Sequence, residues 1–200
     1  MSKRNLLPLL LLPGILLFVS SNSFAQTETL SKGSVAPMFH ARASEAGNEF
    51  NFTLKNALAH GPVVLYFYPA AYTGGCDLEA HTFAEMKDKF TAAGATIIGV
   101  SADDIQRLKS FSSNPDYCAG KFPVASDSAG TIAASYGLKL SPPQPGVKDV
   151  NGDQVTHGFI PRTTFVIDKD GKIVAVFSSK TDHISPDEHV KKSLAIVSNL

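Results

Sequence analysis

Uninterrupted apolar runs alternate along this chain with segments whose apolar residues recur every three to four positions. Residues 62–68 and 96–101 are apolar almost throughout, a pattern typical of strands buried on both faces of a central sheet. Residues 75–93 between them have helical periodicity, and Gly94 is a typical helix terminator. The order strand, helix, strand predicts an α/β fold.

The flanking segments extend this unit into a mixed sheet with helices on both faces. Residues 39–52 predict an N-terminal β-hairpin that turns near Gly47 and Asn48. Residues 163–167 and 172–177 predict two antiparallel strands joined by an Asp-Gly turn. The remaining predicted elements are a helix over 105–112, a short strand over 122–125, a brief helix over 127–136 and a last helix that begins after Ser185 with Pro186 in its first turn.

The composition describes one globular domain. The chain has 200 residues, 44% of them hydrophobic, and a formal net charge of zero. It is therefore long enough to bury a core, and its charge balance indicates no nucleic-acid partner. The proline-rich residues 141–146 are predicted to be a loop inside the domain, since no repeat or linker composition surrounds them.

The start of the chain has the three parts of a secretory signal peptide. Lys3 and Arg4 precede an apolar run over residues 6–19, and small residues follow up to Ala25, where cleavage is predicted. The run is shorter than the roughly 20 residues that a spanning helix needs, which disfavours the alternative of an uncleaved anchor. We therefore expect residues 26–200 to form the mature domain, exported to the periplasm or secreted, with no stable membrane association.

Cys76 lies where the strand pattern of residues 62–68 ends and the helix pattern begins. The free N–H groups and the positive dipole end of a helix favour a thiolate, which is the nucleophilic form of cysteine. The alternative is a small buried residue that closes a strand-to-helix turn. The other cysteine, Cys118, follows the predicted helix over 105–112, and after export both thiols would meet an oxidising compartment.

The histidines do not form a metal-binding pattern, because they lack close ligand spacing and the chain has no C-x-x-C motif. We expect them to face solvent, and His81 is predicted at the surface rather than against the thiol. They are His40, His60, His81, His157, His183 and His189.

Residues on both sides of Cys76 form a family motif. Pro69, Thr73 and Cys76 match the pattern P-x-x-x-T-x-x-C, and Arg162 stands just before residues 165–168, which are similar to a second family block. In these features the chain resembles the peroxiredoxins, and the resemblance covers nearly all of residues 26–200.

The segment that follows Thr73 resembles one branch of that family most. Residues 73–81 are similar to the bacterioferritin comigratory proteins, also called PrxQ. Two positions differ: Gly74 replaces the usual proline, and His81 stands where many members have their second cysteine. The short-spaced cysteine pair of those members is therefore absent from this sequence.

The resemblance implies a thioredoxin-like fold and a thiol peroxidase. In such an enzyme the Cys76 thiolate would attack a hydroperoxide and become a sulfenic acid. Arg162 would lower the thiol pKa and donate hydrogen bonds to the peroxide, Thr73 would also hydrogen-bond the peroxide, and Pro69 would shield the thiolate. Because sulfur supplies both electrons, no metal or organic cofactor is expected.

Each of these positions also has a purely structural interpretation. Thr73 is placed to act as a helix N-cap, with its side-chain oxygen accepting a first-turn N–H group. Pro69 is explained by strand termination, and Arg162 by a surface position at a strand entrance. The sequence leaves these alternatives open.

Glu79 stands at the head of an apolar helix face. A buried carboxylate needs a cation or donor. Arg162 is the candidate, because in the thioredoxin-like fold that the resemblance implies its strand lies beside the strand that ends at Pro69. The alternative is a half-solvated Glu79 that stabilises the first helical turn through the dipole. The face comprises Glu79, Phe83, Met86, Phe90 and Ala93.

The resemblance also implies how the enzyme is recycled. Some members of the branch have a resolving cysteine on the helix after the second strand, and Cys118 is the matching residue here. An intramolecular Cys76–Cys118 disulfide would then form after local unwinding and be reduced by a thioredoxin-like donor, in a monomer. The alternative is an inert Cys118 and a one-cysteine peroxidase that uses an external thiol.

Two other classes of function share the fold. A thiol-disulfide oxidoreductase would need C-x-x-C, and Thr73 occupies the first cysteine position of that motif. A non-catalytic binding or holdase module would have no need of Pro69, Thr73, Cys76 and Arg162 together. A peroxide-consumption assay separates this module from the enzyme.

Overall fold

The computed structural model describes residues 28–200, and within them the chain forms one mixed seven-stranded sheet. The order across the sheet is β2-β1-β5-β4-β3-β6-β7. The three strands β3, β4 and β5 are parallel, and all other neighbours are antiparallel. The strands are β1 (His40–Glu45), β2 (Asn48–Thr53), β3 (Val63–Phe67), β4 (Thr96–Ser101), β5 (Val124–Ser126), β6 (Thr163–Ile167) and β7 (Ile173–Ser178).

Helices cover both faces of the sheet. Those found in residues 28–200 are α1 (Leu54–Leu58), α2 (Gly74–Ala92), α3 (Ile105–Ser113), α4 (Thr131–Ser135), α5 (Ser179–Asp182) and α6 (Pro186–Val197). Side chains of α2, α3 and α6 share one buried apolar cluster, whereas α1 and α4 contribute to a second one. Both cysteines belong to the first cluster.

The predicted architecture is confirmed, with two short helices added. The hairpin β1–β2, the β3–α2–β4 unit and the β6–β7 pair lie where the apolar patterns placed them. Neither α1 nor α5 was predicted; they have five and four residues, and each follows directly on a strand.

The predicted signal peptide, residues 1–25, lies outside the described residues. In residues 28–200 no helix is both long and apolar enough to cross a membrane.

Strand register brings the predicted site residues to one edge of the sheet. In the antiparallel pair β3–β6, Phe67 lies opposite Thr163, so the loop after β3 meets Arg162 at the entrance to β6. In the parallel pair β3–β4, Phe67 lies opposite Val100, so the residues that follow β4 end at the same edge. The carboxyl ends of parallel strands are where α/β folds usually place their sites.

Candidate active site

Cys76 lies in the first turn of α2. Thr73 is the N-cap residue, and its carbonyl oxygen accepts the N–H groups of Cys76 and Asp77 at 2.7 and 3.0 Å. Only 2% of Cys76 is exposed. Both interpretations of Cys76 therefore apply: it lies at a helix start, where a thiolate is favoured, and it is also a buried residue in a strand-to-helix turn.

The Thr73 hydroxyl has a different role from the one the sequence predicted. Its Oγ1 donates to the carbonyl oxygen of Ala70 at 2.7 Å and makes no side-chain cap of α2. The prediction that this oxygen accepts a first-turn N–H is wrong, because the hydroxyl turns toward the preceding loop instead. A hydroxyl that donates in this way still has lone pairs free to accept a hydrogen bond.

Arg162 joins Cys76 and Glu79. Its Nη2 donates to Cys76 Sγ at 3.2 Å, and its Nη1 forms an ion pair with Glu79 Oε2. The Glu79 side chain is fully buried and that of Arg162 is 10% exposed. The interpretation of Glu79 as a buried carboxylate with Arg162 as its partner is confirmed, and the half-solvated alternative is wrong.

Two opposing effects act on the Cys76 pKa. Burial raises it, whereas the Arg162 guanidinium and the hydrogen-bonding groups of Ala70 and Thr73 lower it. Burial outweighs the others, so the net lowering expected from the sequence is not found in this conformation. Of the groups that lower this pKa, the Arg162 guanidinium has the largest effect. Burial likewise raises the pKa of Glu79 to about 7, against the lowering effect of Arg162.

Pro69 is half-buried and lies two residues after the end of β3. Strand termination explains its position, and its shielding of the thiolate stays a prediction.

This geometry agrees with comparisons to known proteins. The profile of the AhpC/TSA family matches residues 33–176. The chain belongs to the AhpC/TSA family. It is thus a peroxiredoxin, a thiol peroxidase of the oxidoreductase class, on a thioredoxin-like fold.

Individual peroxiredoxins cover most of the chain. A candidate peroxiredoxin of Mycobacterium tuberculosis is 37% identical over 138 residues, which are 69% of this chain and 79% of that protein. The chloroplastic peroxiredoxin Q of Triticum aestivum is 30% identical over 172 residues, 86% of this chain and 68% of that protein. The crystal structure of peroxidoxin BcpB from Mycobacterium tuberculosis has a TM-score of 0.68 and 31% identity, covering 86% of this chain and 98% of that one.

The second cysteine of this peroxiredoxin is buried within a run of turns. Cys118 is fully buried, and both cysteines are free thiols. It was expected on the helix after the second strand, but α3 ends at Ser113 and Cys118 lies in the turns over residues 115–120. Burial raises its pKa well above the ordinary value, and Asp77 acts in the same direction.

The histidines of the peroxiredoxin are not all at the surface. His81 is, as predicted; its Nδ1 bonds the carbonyl oxygen of Asp116 at 3.1 Å and its Nε2 is 3.6 Å from Glu85. The prediction is wrong for His189, which is fully buried between hydroxyl groups of Thr164 and Ser179. It is also wrong for His157, whose side chain is only 19% exposed and lies 3.0 Å from Asp103 Oδ1. In residues 28–200, no cluster of His, Cys, Asp or Glu side chains is arranged to hold a metal ion.

Sequence reasoning missed a second group of charged side chains beside the peroxiredoxin site, in which both carboxylates are buried. Asp103, Arg107, Asp149 and His157 form a connected network that contacts the loop before Cys76. One signal pointed there: Asp103 lies two residues after the end of the buried parallel strand β4, at the edge of the sheet where such folds place functional groups.

Proposed function

We propose that this peroxiredoxin reduces hydrogen peroxide and organic hydroperoxides through a Cys76 sulfenic acid. The observation that carries the proposal is the 3.2 Å contact between Arg162 Nη2 and Cys76 Sγ at the start of α2. A guanidinium in this position stabilises the thiolate. The first helical turn, where Cys76 lies, also favours the thiolate, because its free N–H groups carry partial positive charge.

The proposed chemical step is a two-electron transfer. The Cys76 thiolate attacks the terminal oxygen of the hydroperoxide, an S–O bond forms and the O–O bond breaks. Sulfur is oxidised to the sulfenic acid, which keeps the hydrogen of the attacked oxygen, and the leaving oxygen takes a proton from solvent to depart as water or an alcohol. Arg162 stabilises the negative charge that develops on the leaving oxygen, and the lone pairs of Thr73 Oγ1 accept the peroxide proton in a hydrogen bond.

We further propose that Cys118 resolves the sulfenic acid. Its thiolate would attack Cys76 sulfur, form the disulfide and release water, and a thioredoxin-like dithiol would then reduce the bond. Two features support a step that first opens the structure. Cys118 is fully buried, and burial raises its thiol pKa, so it becomes a good nucleophile only on contact with solvent. The turn that carries it includes Ala119 with a φ of 51°, a strained value for a residue with a side chain.

The alternative proposal is a one-cysteine cycle in which an external thiol reduces the Cys76 sulfenic acid. The full burial of Cys118 favours it, because a buried thiol with a raised pKa is inert unless the turn opens.

The test is the intact mass and free-thiol count after one equivalent of hydrogen peroxide, for the parent and for Cys118→Ser. Loss of two hydrogens and of both thiols in the parent, with oxygen adducts on Cys76 in Cys118→Ser, supports resolution by Cys118. Oxygen adducts in both proteins support the one-cysteine cycle. A parent that consumes no peroxide contradicts the peroxidase and leaves the binding or holdase module.

For location we propose export, with a signal peptide over residues 1–25 and a monomeric mature domain. The support is the basic, apolar and small-residue pattern of that segment, and an internal disulfide needs no second subunit. Fractionation of cells followed by N-terminal mass analysis tests cleavage after Ala25, and light scattering of the purified domain tests the oligomeric state.

A further inference from the structure

Asp103 holds the backbone of the loop that leads to Cys76. Its Oδ2 accepts the N–H of Ala71 at 2.8 Å and the hydroxyl of Ser101 at 2.7 Å. Its Oδ1 accepts Nε of Arg107 at 2.9 Å and lies 3.0 Å from Nε2 of His157. The carboxylate is fully buried, so these hydrogen bonds replace its solvation.

Arg107 binds the same loop through the carbonyl group of Ala71. Its Nη2 donates to the carbonyl oxygen of Ala71 at 2.9 Å and to Oδ2 of Asp149 at 2.7 Å. The guanidinium carbon also lies 4.8 Å from the ring centre of Tyr72, within cation–π distance. Asp103 therefore binds the N–H group of Ala71, and Arg107 binds its carbonyl oxygen. Arg107 makes its contacts through two nitrogens of a planar guanidinium, a geometry that lysine cannot reproduce.

The contacted loop is strained at Tyr72. This residue has a φ of 59°, in the left-handed region that costs on the order of 1–2 kcal/mol for a residue with a side chain. Its carbonyl oxygen accepts the N–H of Val150 at 2.9 Å, and Val150 follows Asp149, whose Oδ1 accepts the N–H groups of Asn151 and Asp153. Such a conformation persists only when its surroundings impose it.

The charges of the network balance. Asp103 and Asp149 contribute two carboxylates, and Arg107 and His157 contribute two cations when the imidazole is protonated. Both ring nitrogens of His157 face acceptors, Asp103 Oδ1 and the carbonyl oxygen of Gly158. Although burial lowers the His157 pKa, these hydrogen bonds raise it above the ordinary value. A neutral, fully hydrogen-bonded network tolerates burial and rigidifies the segment it contacts.

We infer that Asp103 and Arg107 are positioning residues for the peroxidase reaction, because they impose the strained Ala71–Tyr72 loop that orients Thr73 and Cys76 toward Arg162. The inference rests on the proposed function. The two halves of the site come from different elements: Thr73 and Cys76 follow β3, whereas Arg162 precedes β6. Neither Asp103 nor Arg107 needs to touch the peroxide, since a misplacement of about 1 Å at the reacting atoms is enough to slow a reaction about 100-fold.

The test compares two reactions of the same thiol in a Cys118→Ser background. Oxidation of Cys76 by hydrogen peroxide requires the oriented site, whereas alkylation by iodoacetamide requires only an accessible thiolate. For Arg107→Gln we expect the second-order rate constant with peroxide to fall about 10-fold to 100-fold, and the alkylation rate to change less than about 3-fold. Arg42→Gln, which removes the arginine of an exposed pair with Glu49, is the matched control and leaves both rates unchanged.

Two further variants keep the test decisive if Arg107→Gln does not fold. Asp149→Asn weakens one arm of the guanidinium and keeps both contacts to Ala71, so we expect a smaller loss of peroxide rate. Arg107→Lys keeps the positive charge but loses the planar guanidinium and its several donors. Relative to Arg107→Gln, we expect it to recover more of the unfolding free energy than of the peroxide rate constant.

Two outcomes overturn the positioning role. One is an equal fall of both rates, and the other is a lower unfolding midpoint with an unchanged peroxide rate. A parent that does not react with peroxide would instead contradict the proposed function itself, so the two failures are distinguishable.

Discussion

Arg162 contacts both Cys76 and Glu79, so one side chain acts on two ionisable groups at once. Toward Cys76 it opposes the effect of burial on the thiol pKa, and toward Glu79 it compensates a fully buried carboxylate. The arginine therefore has a chemical and a structural role at once. Substitutions that differ in charge and in shape separate the two.

Arg162→Gln should raise the Cys76 pKa and lower the peroxide rate constant by about 100-fold to 1,000-fold, because both the thiolate and the leaving oxygen lose a cation. Arg162→Lys restores the charge without the two-armed contact, so its pKa should lie closer to the parent value. The pH dependence of iodoacetamide alkylation measures the pKa, and peroxide consumption measures the rate. An unchanged pKa in Arg162→Gln would contradict the role assigned to the guanidinium.

Contacts between α2 and the turn that carries Cys118 hold the two cysteine segments in place. His81 of α2 bonds the carbonyl oxygen of Asp116, and Lys121 Nζ donates to the carbonyl oxygen of Ala84 at 3.1 Å. Each segment thus binds the backbone of the other through one polar side chain. Opening of the turn, which the proposed disulfide needs, breaks both contacts.

We expect His81→Ala and Lys121→Met to speed disulfide formation after Cys76 oxidation by a few-fold each, because a net hydrogen bond is worth about 1 kcal/mol. Rapid acid quenching followed by mass analysis gives the rate. Lys87→Met is the control, since Lys87 bonds only Thr91 of its own helix. Equal rates in all four proteins would show that these contacts do not limit the opening.

The contact between α6 and β6 makes stability dependent on pH. His189 of α6 lies between Thr164 and Ser179, and burial, with Arg162 acting in the same direction, lowers its pKa from 6.5 to about 4. The folded state therefore resists protonation that the unfolded state accepts. This contribution to stability is complete above the unfolded pKa and is lost as pH falls from about 6.5 to 4.

The pKa difference corresponds to about 3 kcal/mol. Between pH 7 and pH 4 the parent should lose about that much more unfolding free energy than His189→Gln, whose side chain does not titrate. Burial raises the pKa of Asp77 to about 6 and that of Glu79 to about 7, and these carboxyl groups affect stability in the opposite direction in both proteins. Urea unfolding at several pH values measures the difference between the two proteins, in which those effects cancel. Parallel curves would contradict the assignment.

In the whole molecule, the two cysteines lie in one of two buried apolar clusters. Both cysteines belong to the apolar cluster of α2, α3 and α6, whereas α1 and α4 pack into the other one. Stability is shared by both clusters, but reactivity should depend mainly on the first.

Leu54→Ala tests this separation. Leu54 of α1 is fully buried in the second cluster, so its truncation should cost about 2–5 kcal/mol of unfolding free energy. The peroxide rate constant of Cys76 should stay unchanged at a temperature where the variant is folded. Denaturant unfolding and a peroxide assay on one preparation give both values, and a large loss of rate would contradict the separation.

The sequence by itself determined the buried strands, the long helix after Cys76 and the motif of Pro69, Thr73, Cys76 and Arg162. These features were predictable because strand and helix periods show within a few neighbouring residues. The motif was predictable because its residue types and their spacing are read directly from the sequence.

Only the tertiary structure decided which polar groups meet. The burial of His189 and the network around Asp103 and Arg107 depend on partners that are 25 to 54 residues away in the sequence. The net direction of the Cys76 pKa was decided in the same way, since burial and a guanidinium 86 residues away oppose each other at one sulfur atom. Hydrogen bonds and desolvation act over a few ångströms in space, and the spacing of residues along the sequence does not reveal which distant side chains come that close.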